Sequence, residues 1–253
     1  MLRKVTLGDW LAEAPFGLAM SSGFFSFYAH TGMLAALLDR GLAPSHVSGS
    51  SAGAMVAGVW AAGAQHAELE TFLLTMRRDD FWDPGFGAGL LAGRKFDALL
   101  RRFLPIDRIE NCNVPVRISA FDILARKTVV LERGDLSSAI RASCAVPAMF
   151  QPVWIDRRPH WDGGILDRPG LAGVPPGRML FHHISNHAPW SRRNAPLSIP
   201  TRADMMTLVL DDLPSVSPFR LDAGPLALNA ARAATARALD QPIEGELVRR
   251  SVR

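Results

Sequence analysis

The first third of this chain predicts an α/β fold, three-layered α/β/α, with a central, mostly parallel sheet between helix layers. Three observations carry that prediction. The apolar run Gly17-Leu18-Ala19-Met20 stops at Ser21-Ser22-Gly23, which reads as a buried strand ending in a loop. His30 to Arg40 follows with helical spacing, Met33, Leu34, Leu37 and Leu38 falling on one face. Val47-Ser48-Gly49 is a short strand that leads into a helix over Ala52 to Ala64, rich in Ala, Val, Met and Trp. Strand, helix, strand, helix in that order favours parallel strands joined by covering helices. In such sheets functional groups gather at the carboxyl ends of strands, where Ser21-Ser22-Gly23 and Ser51 both fall.

The remaining elements read in order. Gln65 to Arg78 is a helix. Phe81 to Gly93 is rich in Gly, Phe, Trp and Leu without a regular period; an apolar flap and a surface loop with buried aromatics fit it equally. Lys95 to Leu104 is an amphipathic helix that ends at Pro105. Val114 to Ala120 and Lys127 to Leu131 are strands around a turn at Asp122 to Arg126, and Ser137 to Ala142 is a short helix. Gln151 to Ile155 is a strand, Arg157-Arg158-Pro159 a turn, and His160-Trp161 enters Asp162-Gly163-Gly164. Arg178 to Ile184 and Met206 to Leu210 are late strands. Gly224 to Leu239 is a helix, with Pro225 in its first turn and Pro242 beyond its end. Gly8-Asp9-Trp10-Leu11 reads as structural packing, and the Pro- and Arg-rich stretch Trp190 to Pro200 as an exposed loop. Neither a repeat nor a linker interrupts the chain, so residues 1–253 are expected to form one domain.

Composition narrows the function classes. The chain has 253 residues, 48% of them apolar, which supports a real core and argues against disorder. Its formal net charge is +4, but the basic residues are scattered, so no nucleic-acid-binding tail is expected. Arg249, Arg250 and Arg253 make a modest basic end, suited at most to a mild attraction for an anionic membrane surface. Lys4, Lys95 and Lys127 are the lysines among 28 basic residues; that bias towards Arg suggests a GC-rich bacterial gene. Cys112 and Cys144 are too few for a disulfide framework, and neither they nor the histidines show metal-ligand spacing. Met1-Leu2-Arg3-Lys4 lacks a signal-peptide apolar run, and no later segment is apolar enough to span a membrane. The expectation is a cytoplasmic protein, membrane-peripheral at most.

The chemistry concentrates in Gly49-Ser50-Ser51-Ala52-Gly53, which fits G-x-S-x-G with Ser51 at the centre. A serine at a sharp strand-to-helix turn is a nucleophile elbow; glycines at −2 and +2 relieve crowding there. The helix that begins at the turn offers unpaired N–H groups and a positive dipole end to a developing oxyanion. The bland alternative is a glycine-rich turn in which serine merely caps a helix. A serine nucleophile needs a base. Asp162, followed by Gly163 and Gly164 in a tight turn, is the candidate: in a dry site a carboxylate with a raised pKa takes the serine proton directly. An ordinary Asp-Gly turn is the alternative, and spacing alone does not place Asp162 against Ser51. The order Ser51, Asp162, His182 also suits a Ser-His-Asp triad, but that fold places several strands before its elbow. His182 and His183 therefore read as a strand-end pair satisfied by backbone or water. His30 reads as a helix-start histidine, and His160 as alternating with Asp162 along its strand.

Several of these segments, in this order, resemble the patatin-like phospholipases. Leu18 to Gly23 sits where that family has a strand and a glycine-rich oxyanion loop; Tyr28 and Gly32-Met33-Leu34 resemble the start of its first helix. Gly49 to Gly53 matches its elbow. Ala139 to Pro147 and Phe150 to Val153 resemble its approach to the aspartate. Trp161-Asp162-Gly163-Gly164, with Pro169 beyond, resembles its D-G-G/A segment. The resemblance covers Gly17 to Pro169. One departure stands out. The family's loop runs G-G-G-x-R/K-G, whereas this chain has Ser21-Ser22-Gly23-Phe24-Phe25-Ser26 and no basic residue there.

The resemblance implies a patatin-like fold and an acyl ester hydrolase of phospholipase A or lysophospholipase type, with an acyl lipid as substrate. It implies a Ser51–Asp162 dyad, backbone N–H groups of Ser22, Gly23 and Ala52 as the oxyanion hole, and no cofactor or metal. Phe24, Phe25, Phe27 and Met33 would line an acyl channel or simply fill the core. The rivals are a triad esterase or thioesterase, and a catalytically weak lipid-binding or scaffold protein. The missing loop glycines favour the latter and the retained Ser51 and Asp162 oppose it.

Overall fold

A computed structural model describes residues 4–185 and 199–252. Its first element, α1 (Leu7–Glu13), is absent from the sequence reading, which treats this segment as packing. The signal for it is a capping box: the Thr6 hydroxyl accepts from Asp9 N–H, and the Asp9 carboxylate accepts from Thr6 N–H. Leu7 and Leu11, one turn apart, bury the inner face.

The strand–helix order expected next is present as β1 (Gly17–Met20), α2 (Phe27–Asp39), β2 (His46–Ser50) and α3 (Ala52–Ala61). Helix α2 begins three residues before His30. Every residue from Phe27 to Leu37 is buried, which makes α2 a central helix enclosed on all sides rather than an amphipathic surface helix. Then come α4 (His66–Thr75), β3 (Gly89–Leu91), α5 (Arg94–Phe103), β4 (Val116–Asp122), β5 (Lys127–Leu131), α6 (Leu136–Cys144) and β6 (Ala148–Phe150). The chain closes with β7 (Val153–Ile155), β8 (Arg158–Asp162), β9 (Met179–Ile184), β10 (Met205–Asp211), α7 (Gly224–Leu239) and β11 (Leu247–Ser251).

Two readings need correction, and one strand has no counterpart in the sequence reading. Arg158 and Pro159 are not in a turn; they begin β8. The turn is Asp156-Arg157, both at positive φ (48° and 63°), which closes a two-residue hairpin between Ile155 and Arg158. The segment Phe81 to Gly93 carries a strand of its own, β3, paired with β6. Strand β11, Leu-Val-Arg-Arg-Ser, lacks the apolar alternation that would flag it and is fixed by pairing with β10. The loop expected at Trp190 to Pro200 lies, apart from Ile199 and Pro200, outside the described residues.

The strands assemble a central sheet in the order β11-β10-β9-β1-β2-β4-β8-β7, with β5 also on β4. From β11 to β4 all pairings are parallel; β5, β7 and β8 join antiparallel at the far side. The main core lies on the face carrying Leu18, Met20 and Val47, packed against helices α1 to α7. On the opposite face Ala19, Met179, Phe181 and Met205 are covered by Leu171, Val174 and Ile199; among the described residues that cover is coil. No helix among the described residues is long and apolar enough to cross a membrane.

Helices α2 and α7 cross closely at Gly32. A Cβ there would lie 2.1 Å from the Leu228 carbonyl oxygen. Replacing Gly32 by Ala gains about 1 kcal/mol of helix propensity, but overpacking against backbone costs typically 1–3 kcal/mol or more. Packing should win, so Gly32→Ala is expected to lower the Tm in thermal denaturation. A Tm at or above wild type would show that α7 yields freely at this crossing.

Candidate active site

Strand β4 sets the site. Its edge away from β5 is shared by two strands end to end. Val47 to Ser50 of β2 pair in parallel with Val116 to Ser119, and from the next residue onward β8 takes over, with Asp162 opposite Ala120. The carboxyl ends of β2 and β8 therefore meet head-on. Ser51 follows the last residue of β2, and Asp162 is the last residue of β8.

At the elbow Ser51 has φ 53° and ψ −120°, a left-handed conformation that costs about 1–3 kcal/mol for a non-glycine residue. The flanking glycines allow it. A Cβ on Gly53 would fall 2.1 Å from the Met20 carbonyl oxygen, and one on Gly49 would fall 2.4 Å from Gly53. Helix α3 can thus approach β1 and β2 without side chains between. Ser143 pins the turn: its hydroxyl accepts from Ser51 N–H (2.8 Å) and donates to the Ser119 carbonyl (2.6 Å). Ser143 was not legible as a site residue, because a serine near a helix end carries no signal of what it touches.

Ser51 Oγ donates to Asp162 Oδ2 at 2.7 Å, and both residues are buried. The other carboxylate oxygen accepts from Gly164 N–H at 2.8 Å, and Asp162 N–H donates to the Ala145 carbonyl. Gly163 passes so close to β4 that a Cβ would sit 2.2 Å from the Ser119 oxygen. Burial pushes the Asp162 carboxyl up to about 6, although the hydrogen bonds from Ser51 and Gly164 pull the other way. Beyond it, the buried Asp167 accepts from Ser119 Oγ and from the N–H groups of Gly170, Leu171 and Ala172. That carboxylate folds the segment after the Asp-Gly-Gly turn back onto β4.

The loop after β1 faces the same spot. Ser22 N–H donates to the Arg168 carbonyl at 2.7 Å, so it is already engaged. Gly23 N–H has no partner among the described residues, and Ala52 N–H heads α3, where no intrahelical acceptor exists. Gly23 itself has no positive φ; its constraint is space, since a Cβ would lie 2.5 Å from Ser26 Oγ. The positive φ falls on Phe25 (55°) instead.

Ser51 and Asp162 open into a cavity of about 390 Å³ whose apolar lining includes Phe24, Phe25, Phe27, Met55, Phe81 and Phe96. Met33, expected with the phenylalanines, belongs to the core and is fully buried. The histidines lie elsewhere. His182 is inside β9 rather than at its end, and its Nδ1 meets His30 Nδ1 at 2.8 Å; His30 Nε2 in turn meets the Ser21 carbonyl at 2.8 Å. A carbonyl only accepts, so His30 donates from Nε2 and receives the His182 Nδ1–H. Burial holds both imidazoles neutral, His30 down at about 4.

Comparison with known proteins identifies the family. A family model described as patatin-like phospholipase matches residues 18–173, from β1 past Asp162. An uncharacterized NTE family protein of Mycobacterium tuberculosis is 40% identical over 163 residues, which is 62% of this chain and 44% of that protein. A second NTE family protein of the same species is 27% identical over 162 residues, 62% of this chain and 27% of that protein. The chain thus spans less than half the length of these curated relatives. Among solved structures, VipD from Legionella pneumophila superposes with a TM-score of 0.57 at 14% identity, over 90% of this chain and 67% of that one, a likeness of fold. With the family model covering well over half of its residues, the chain belongs to the patatin-like phospholipase family.

Proposed function

We propose that this protein is a lipolytic acyl hydrolase, of phospholipase A or lysophospholipase type, working through a Ser51–Asp162 dyad. The observation that carries the reading is the 2.7 Å hydrogen bond from Ser51 Oγ to a buried Asp162 carboxylate. Ser51 Oγ attacks the acyl carbonyl while its proton passes to Asp162 Oδ2. The tetrahedral oxyanion is met by the N–H groups of Gly23 and Ala52, aided by the positive end of α3. As the intermediate collapses, Asp162 returns the proton to the leaving alcohol and an acyl-Ser51 ester remains. A water then gives its proton to Asp162 and attacks the ester; the acyl–Oγ bond breaks, the acid leaves, and Asp162 returns the proton to Ser51 Oγ. A base held near 6 is better matched to this task at neutral pH than an ordinary carboxylate. The apolar cavity accounts for an acyl chain as the group bound.

A triad would need a histidine on Ser51, and His182 is engaged instead with His30. The scaffold reading rests on the altered loop, yet the two donors this mechanism uses, Gly23 and Ala52, are both retained.

Ser51→Ala should abolish labelling by a fluorophosphonate. Ser50→Ala, which alters a fully buried strand residue, should leave most of it. Labelling that survives in Ser51→Ala would move the nucleophile elsewhere.

Asp162→Asn keeps an acceptor for Gly164 N–H but removes the base. Turnover of a soluble acyl ester should fall by roughly three to four orders of magnitude, whereas His182→Ala should not reproduce that loss. For wild type, kcat/KM should rise with pH through about 6 and level off above it, as Asp162 ionises. Stability runs the opposite way. The folded carboxyl binds its proton more tightly than the unfolded one, so stability falls as pH rises from the ordinary carboxylate range through about 6. Asp162→Asn should therefore have a higher Tm than wild type at pH 8 while being nearly inactive. An inactive variant with a lower Tm there would mean that the ionised carboxylate is fully compensated.

Gly23→Val places branched carbons against Ser26 and Ile184 and displaces one oxyanion donor. Losing such a donor costs on the order of 3 kcal/mol in the transition state, so kcat should drop about a hundredfold or more. Full activity in Gly23→Val would place the donors outside this loop.

A further inference from the structure

We infer that the hairpin from Pro84 to Leu91 is a lipid-docking element, inserting Phe86 into a membrane surface beside the mouth of the Ser51 cavity. The inference rests on the lipolytic reading for its purpose, but the geometry is independent of it. Phe86 is wholly exposed (108%) and Leu90 half exposed (51%). Single exposed apolar residues are ordinary; this pair is not placed at random. Pro84 bridges Leu91, and Gly85 N–H donates to the Leu90 carbonyl at 3.0 Å, so Phe86 stands at the tip of a tight hairpin.

That tip is held up rather than folded down. Strand β3, which forms its second arm, pairs with β6, and Gly89 fits so closely that a Cβ would lie 2.2 Å from Phe150. Gln151 Nε2 donates to the Phe86 carbonyl at 2.8 Å. At the base, the Asp83 carboxylate accepts from the N–H groups of Gly93, Arg94 and Lys95 and caps α5. Met149 and Phe150 of β6 line the Ser51 cavity, so the hairpin is fixed to the cavity's own wall.

The composition of the tip selects a lipid surface as the occupant. No residue from Pro84 to Ala92 is charged, and its flanks are mixed in sign, Arg77, Arg78, Arg94 and Lys95 standing beside Asp79, Asp80 and Asp83. Asp80 and Asp83 are turned onto backbone N–H groups, of Arg77 and of the first residues of α5. Arg78 lies 5.7 Å from the rings of both Trp82 and Phe219, and Phe219 is largely exposed. An apolar tip, with Trp and Arg at its base, matches the acyl and head-group levels of a bilayer. Residues beside the cavity would then meet lipid without its acyl chains crossing water.

The test is co-sedimentation with vesicles of phosphatidylcholine and phosphatidylglycerol, run beside hydrolysis of a soluble short-chain ester. Phe86→Asp touches no part of the cavity lining, so it should hydrolyse the soluble ester as wild type does. Its vesicle binding should fall about tenfold or more, with hydrolysis of vesicle lipid falling alike, while Phe86→Trp retains both. Wild-type protein that does not sediment with vesicles would overturn the inference. So would Phe86→Asp binding them as wild type does, or losing soluble-ester hydrolysis in equal measure. Wild type inactive on the soluble ester would instead count against the lipolytic reading, and the sedimentation arm would still decide the docking surface.

Discussion

The site depends on one length constraint: β2 must stop where β8 arrives. Both strands use the same edge of β4, β2 as far as Ser119 and β8 from Ala120 onward. One more residue of β2 would displace Asp162, and one fewer would leave the two side chains too far apart for a 2.7 Å hydrogen bond. The turn out of β2 is therefore forced at Ser51, and the turn out of β8 at Gly163. The glycines sit where the two chain ends crowd each other. A Cβ at Gly163 would meet not only the Ser119 oxygen but also Ser50 Oγ at 2.8 Å.

The same closure dries the site. With Ser51 and Asp162 both buried, water cannot share the load of the charged carboxylate, and its pKa rises despite two hydrogen bonds that favour ionisation. Each unit of such a shift is about 1.4 kcal/mol of differential interaction. Add the left-handed Ser51, and the elbow carries several kcal/mol of unfavourable structure. It persists because α3 behind it is packed without gaps: Ala54, Val56, Ala57 and Val59 are fully buried, and the Ser143 hydroxyl ties the turn to β4. Reactivity at the front is offset by ordinary core packing at the back.

Signals that are local in the chain were legible in it. The elbow declares itself because the backbone conformation at Ser51 demands small residues at fixed offsets, and α7 because Pro225 and Pro242 bound it. The pairing of Ser51 with Asp162 spans 111 residues, and no periodicity reports it; the resemblance to a family supplied it. Interactions of the main chain were beyond reach for the same reason. Nothing in Ser22 says that its N–H is turned towards Arg168, and nothing in Ser143 says that its hydroxyl joins the elbow to β4. Strand β11 escaped because an edge strand need bury only one side chain, here Val248. Helix α1 went unread: its capping box is its local signal, and seven residues offer too little period to be read as a helix without it.

The departure of the loop after β1 from the family pattern takes on a different meaning in this setting. Glycines let a loop adopt whatever conformation presents its N–H groups, at an entropic cost. Here serines stand in two of the three places, and hydrogen bonds fix the conformation. His30 Nε2 holds the Ser21 carbonyl, Ser21 Oγ accepts from Ile184 N–H at 2.9 Å, Ser21 N–H reaches the His182 carbonyl, and Ser22 N–H reaches that of Arg168. His182 in turn keeps His30 in the one tautomer that can donate to Ser21. With residues 21 and 22 held by these bonds, the chain reaches Gly23 without a positive φ there, and the Gly23 N–H has no partner among the described residues. The altered loop is thus consistent with a working oxyanion site of a stiffer kind, in which a buried histidine pair supplies part of the order that the sequence lacks.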